Sequence, residues 1–251
     1  MANDLPLFYR TPQVLRFEEH KDLVLTQAPD FTFAAEANAI PLTVGEFMPA
    51  VRNFPIVFVS TGETVSTVAI TGLKQGQNLF VKPDGTWAED AYIPAYLRRY
   101  PFIFVEEQGV DRRILAVDTA SERVKKASEA ENGAPLFTDD GKAGEGAQPA
   151  LQLCEALRLQ FEKDVAFLKA LVDQDLLVER HADMEFPDKS RYRLSGMRLV
   201  DPERYRALPA ETLAEWHKSG WTDAIALHIA SQGNWSLLLE RNQKLTGLQA
   251  A

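Results

Sequence analysis

Apolar positions along this chain fall into two closely similar blocks. Residues 49–59 read PAVRNFPIVFV and residues 94–105 read PAYLRRYPFIFV, with one residue inserted. Each block leads into a second strand-like run, VSTVAITG from Val65 and RILAVDTA from Arg113. Each then closes on an LF segment and a turn, LFVKPDG at Leu79–Gly85 and LFTDDG at Leu136–Gly141. The pattern predicts a duplicated helix–strand–strand–turn unit over about residues 41–86 and 93–142. Thr43 and Glu46 have the spacing of a capping box, starting a helix that carries Phe47 and Val51. Pro55 and Pro101 stop their helices and push the preceding residue into extended geometry. The runs Ile56–Val59 and Phe102–Val105 lack a polar face, as a strand covered on both sides does. KPDG and TDDG read as tight turns closed by glycine.

The rest of the chain follows other periods. DDGKAGEGAQP, from Asp139 to Pro149, reads as a linker. A long amphipathic helix is predicted from about Pro149 to Asp173, with Leu153, Leu157, Phe161, Phe167, Leu168 and Leu171 at mostly helical spacing. Leu176–Phe186 and Tyr192–Val200 read as strands joined across PDKSR. Asp201 caps a short helix with Pro202 at its first position, PAETLAEWHKSGW forms another, and Thr222–Asn242 is helical with a break near Gly233. The predicted class is α+β. The duplicated units form a mixed sheet in a domain over residues 1–146, and a helix-rich α+β part follows over residues 149–251, either separate or within the same domain.

Composition adds exclusions. The 251 residues are 45% hydrophobic and 25% charged, with a net charge of −9 and a pI near 5.1. An acidic surface without a basic patch disfavours nucleic acid and anionic lipid. The densest basic clusters are Arg98–Arg99, Arg112–Arg113 and Lys125–Lys126. The longest apolar runs, such as Pro55–Val59 and Pro101–Val105, are too short to insert in a membrane. MANDLPLFYRTP does not have the form of a secretory signal, and Cys154 is the single cysteine, so the expected compartment is the cytoplasm. Cys154 reads as a buried, inert thiol.

Candidate chemistry is sparse. The sequence contains no phosphate loop, HExxH, CxxC, GxSxG or calcium-loop motif, and no metal or cofactor is expected. GKAGEG lacks dinucleotide-loop spacing and carries Asp139, Asp140 and Glu145 where a phosphate would sit. His20, His181, His217 and His228 are scattered, and only His181 with Glu185 would share a strand face. Two groups stand out. Arg98 and Arg99 sit where a short helix turns into a buried strand, so at least one needs an acceptor. An internal salt bridge to an acid such as Asp118 is the structural expectation, and an anion clamp is the functional one. Asn78, Asp84, Trp87 and Tyr92 cluster around the first turn, either packing it or lining a ligand site.

A set of segments resembles the bacterial SapC family: IPL at Ile40–Leu42, FPIVF at Phe54–Phe58, NLFV at Asn78–Val81 and DGTW at Asp84–Trp87. YIPAYLRRYPF at Tyr92–Phe102, PLF at Pro135–Phe137 and LSGMRLVDPERYRAL at Leu194–Leu208 extend it over nearly the whole chain. The family's name comes from an association with bacterial surface layers. Similar proteins are often encoded beside flavin-dependent tryptophan-halogenase-like proteins, cupin-like oxygenase-type proteins and TonB-dependent receptors. The resemblance carries over no catalytic residues. With no compact catalytic constellation in the sequence, the favoured reading is an accessory or binding protein that works with a halogenase-like flavoprotein or a cupin-like enzyme. Such a protein would hold a small metabolite or peptide between the repeats, with Arg98 or Arg99 on an anion and Trp87 and Tyr92 as walls. The alternatives are an enzyme acting on an amino acid or peptide, with Asp118 or a histidine as acid/base, and a surface-layer structural or assembly protein.

Overall fold

The computed structural model describes residues 5–26, 30–62, 64–106, 113–185, 189 and 191–247. Glu107, Arg112 and Phe186, and all of the predicted PDKSR turn except Lys189 and Arg191, lie outside them. The strands are β1 (Pro12–Val14), β2 (Leu23–Thr26), β3 (Ala39–Pro41), β4 (Ile56–Thr61), β5 (Thr64–Ile70) and β6 (Phe102–Glu106). They continue with β7 (Arg113–Asp118), β8 (Val124–Lys126), β9 (Gly133–Pro135), β10 (Leu177–Glu185) and β11 (Arg191–Val200). The α-helices are α1 (Phe17–His20), α2 (Phe47–Ala50), α3 (Ala95–Arg99), α4 (Gln148–Asp173), α5 (Pro202–Arg206), α6 (Ala210–Lys218), α7 (Trp221–Ser231) and α8 (Asn234–Thr246). The class is α+β, as predicted.

The chain divides into two compact units, each made of two separated stretches. The first unit comprises Met1–Phe33 and Ala95–Arg158, and the second comprises Ala34–Pro94 and Leu159–Ala251. The first holds two three-stranded sheets, β1-β7-β6 and β8-β2-β9. The second holds one five-stranded sheet, β10-β11-β4-β5-β3. Every pairing among the described strands is antiparallel.

Each unit carries one copy of the repeat, in the same register. In the first, Phe102 pairs with Val117 and Asp118 N donates to Pro101 O at 2.9 Å. In the second, Ile56 pairs with Ala69 and Ile70 N donates to Pro55 O at 2.9 Å. A short strand completes each trio, β1 on β7 and β3 on β5. The LF turns also match. Gly85 and Gly141 take φ of +81° and +78°, and each donates its N–H three residues back at 2.9 Å. Isolated bridges, Val81 to Trp87 and Phe137 to Ala143, close the two turns.

Interiors follow the apolar pattern. The first unit packs Phe102, Leu115, Val117, Leu136 and Cys154 into one cluster. Phe47, Phe54, Phe58, Phe80, Phe167 and Leu171 are buried in the second. A buried side chain of this size stabilises by about 1.5–3 kcal/mol. The capping box at Thr43 is present, with Glu46 Oε2 accepting from the Thr43 N–H and hydroxyl at 2.9 Å each. It opens a 3₁₀ turn, Val44–Glu46, that runs into the single turn of α2.

The glycine-rich stretch read as a linker is packed instead. Gly144 and Gly146 donate to Leu136 O and Pro135 O at 2.9 Å. A Cβ on Gly144 would lie 2.4 Å from Pro135 O, and one on Gly146 2.6 Å from Ala134 O. These glycines serve close backbone approach rather than flexibility.

Candidate functional site

The residue that organises the first unit is Asp118, at the end of β7 and fully buried. Its Oδ1 accepts from Thr11 N at 2.8 Å and Ala120 N at 3.2 Å. Its Oδ2 accepts from Arg10 N at 2.9 Å and the Tyr100 hydroxyl at 3.2 Å. One carboxylate thus pins three segments: the lead into β1, the α3–β6 junction and the turn after β7. Three backbone N–H groups and a phenol fill this carboxylate, which was the acceptor expected for the arginine pair, and Arg99 lies against aromatic rings instead.

Those three segments, with residues 30–33, line a half-open cavity of about 240 Å³. Arg10, Arg123, Asp30 and Glu122 line it with Ser121, Thr32, Phe33 and Tyr100, and Arg10, Thr32 and Glu122 are exposed at its mouth. Arg123 is half-buried and donates through Nη1 to Tyr100 O at 3.0 Å, while its buried Nε has no hydrogen-bond partner. Burial lowers the Arg123 pKa, and the nearby Asp30 carboxylate opposes that shift. Ser121 Oγ accepts from Arg123 N at 3.3 Å. Phe33 stacks on Tyr100 with centroids 4.1 Å apart at 29°. Burial raises the Tyr100 phenol pKa, with the Ser121 hydroxyl and the Arg10 charge opposing.

Arg99 belongs to the same unit but does not line this cavity. Its guanidinium lies 4.3 Å from the Tyr96 ring centroid and 5.7 Å from that of Tyr9, and its buried Nε is unpartnered. Aromatic faces take the place of the carboxylate predicted for it. Burial raises the Tyr9 and Tyr96 phenol pKa values against the opposing Arg99 charge. Arg98, the preceding residue of α3, is exposed. Burial pushes the Cys154 thiol up to about 11, so it stays protonated and unreactive at neutral pH.

Asn78, Asp84, Trp87 and Tyr92 belong to the second unit, apart in the chain's division from Arg98, Arg99 and Asp118. Asn78 is buried, donating to Ala34 O and accepting from Phe80 N at 3.0 Å each. Asp84 Oδ1 accepts from the Thr86 N–H at 3.0 Å and hydroxyl at 2.7 Å, and the hydroxyl bond lowers its pKa. Trp87 stacks on Phe80 at 5.6 Å and donates through Nε1 to Tyr92 O at 3.2 Å. The Tyr92 hydroxyl donates to Glu46 Oε1 at 2.9 Å. Each of the four has a defined place in holding the first turn.

Among the described residues, no group of three or more His, Cys, Asp or Glu could hold a metal ion. No described helix is long and apolar enough to cross a membrane. His228 is fully buried, and its Nε2 accepts from Val200 N at 3.1 Å. His181 Nε2 lies 3.3 Å from Asp183 Oδ2.

Sequence reasoning missed Arg10, Asp30, Phe33, Ser121 and Arg123, which come from distant stretches. One signal was available within the duplication. Tyr100 and Asp118 occupy the register positions of Phe54 and Ile70, so polar groups stand in one copy where the other is apolar. Fold and site together define an α+β protein built on an internal duplication, with a charge-lined cavity in one of its two units. The chain belongs to the SapC family, whose model matches residues 15–238. No curated protein and no solved structure gives a match.

Proposed function

We propose that this SapC-family protein is a cytoplasmic binding or accessory protein that holds a small metabolite or peptide bearing an anionic group. It presents that ligand to an enzyme of the flavin-dependent halogenase-like or cupin-like kind. The observation that carries the reading is Arg123. A half-buried guanidinium with an unpartnered buried Nε is a costly arrangement that an anionic ligand would relieve, and the exposed Arg10 lines the same cavity. Asp118 supports binding rather than catalysis, because its oxygens already serve the fold. In this reading Arg99 is a positioning residue that braces α3 on Tyr9 and Tyr96.

Native mass spectrometry of the full chain, purified gently from its own host, tests the reading. The wild type is expected to carry a small-molecule passenger or to co-purify with a flavoprotein. Arg123→Gln is expected to lose the passenger, while Asp84→Asn in the first turn keeps it. A bare wild-type chain, or a passenger retained at full occupancy in Arg123→Gln, overturns the assignment.

A further inference from the structure

We infer that the cavity of the first unit takes a free α-amino acid, with its carboxylate on Arg123 and Arg10 and its ammonium on Asp30 and Glu122. The inference rests on the binding reading above and narrows it to one class of ligand. Size gives the first reason. The cavity holds about 240 Å³, below the roughly 300–1,000 Å³ of pockets that enclose drug-sized ligands. A compact metabolite fits, and a folded or extended peptide would leave most of itself outside.

Charge gives the second reason. The wall carries two guanidinium and two carboxylate groups, so it is neutral overall and offers partners of both signs. Arg123 Nε is a buried donor with no partner, and Arg10 adds an exposed guanidinium on the same wall. Asp30 is fixed through one oxygen, which accepts from Thr32 N at 2.8 Å, leaving the other for an ammonium. A dianion such as phosphate would meet two like charges here, and a simple cation would meet two arginines. A zwitterion satisfies both pairs. The stacked faces of Phe33 and Tyr100 supply an apolar wall for the side chain.

The register gives the third reason. The second unit builds the same strand trio with Phe54 and Ile70 where the first has Tyr100 and Asp118. The second copy therefore builds the same trio without polar groups at these positions.

Titration calorimetry on the full chain tests the inference, using the twenty free L-amino acids singly. The N-acetyl and amide forms of the tightest binder follow, with succinate and inorganic phosphate as anion probes. At least one free amino acid is expected to bind, and blocking either end is expected to weaken it at least tenfold. Asp30→Asn, which keeps the acceptor for Thr32 N, should weaken the free form about tenfold and leave the N-acetyl form unchanged; thermal melting confirms that the variant folds. An N-acetyl form that binds as tightly as the free one overturns the inference. So does silence from all twenty, or binding of succinate or phosphate alone, and neither outcome removes the broader binding reading. That reading falls separately, on a host-purified chain that carries no passenger.

Discussion

The two units run the same three-strand register with opposite interiors at one end of it. In the second, the residue before the proline is Phe54 and the end of the third strand is Ile70, at 0% and 4% exposure. In the first, the matching residues are Tyr100 and Asp118, equally buried at 5% and 0%. Apolar packing closes one copy. In the other, a carboxylate gathers backbone N–H groups and a phenol, and that phenol's residue, Tyr100, also lines a cavity with charged groups on its wall. A duplicated scaffold thus separates what the fold needs from what one copy has added.

Breaking the polar knot should have the largest effect. Asp118→Ala leaves three backbone N–H groups and the Tyr100 hydroxyl without their acceptor, at about 1–3 kcal/mol for each buried group left unsatisfied. Urea unfolding should show at least 3 kcal/mol lost, and a loss below 1 kcal/mol would mean the knot is incidental.

The second unit should answer to pH in two opposing ways. Burial lowers the His228 pKa from 6.5 to about 4, so its stability is full above pH 6.5 and lost as pH falls through about 4. Burial raises the Asp164 pKa from 3.8 to about 6, so its stability is full below pH 3.8 and lost as pH rises through about 6. Each amounts to about 3 kcal/mol at most, and over pH 4–6 they offset one another. Unfolding measured across that window should be nearly flat for the wild type. Asp164→Asn should lose stability as pH falls, and a flat curve for that variant as well would refute the pairing.

The smallest effects come from exchanging the matched aromatics. Tyr100→Phe removes one hydrogen bond and should cost about 1 kcal/mol. Phe54→Tyr inserts a hydroxyl into a fully buried site and should cost about 1–3 kcal/mol. Equal costs in chemical denaturation would mean that the two copies tolerate polarity alike.

The duplication, the capping box, α4 and the helical C-terminus were legible because hydrophobic period and local turn chemistry determine them. The short strands β1, β2, β3, β8 and β9 were not, since stretches of three or four residues carry no period to read. Gly144 and Gly146 misled for a physical reason: glycine needed for close approach has the same composition as glycine in a flexible link. The cavity was hidden because Arg10, Asp30, Tyr100 and Arg123 meet only through tertiary pairing, while the conspicuous Arg98–Arg99 pair and the Trp87 turn lie elsewhere.

The interleaving of the units sets an order of events during synthesis. Residues 34–94 emerge before their partner stretch, which begins only at Leu159. At roughly 5–20 residues per second, the stretch from Pro94 to Asn234 takes about 7–28 seconds, and that copy of the repeat waits this long for completion. Until then Ile56 N lacks the Ser231 hydroxyl that accepts from it at 3.0 Å, and Phe54 O lacks the Asn234 amide that donates to it at 2.9 Å. A nascent chain released at residue 146 would contain both repeats, yet the first would still lack the helices that finish it.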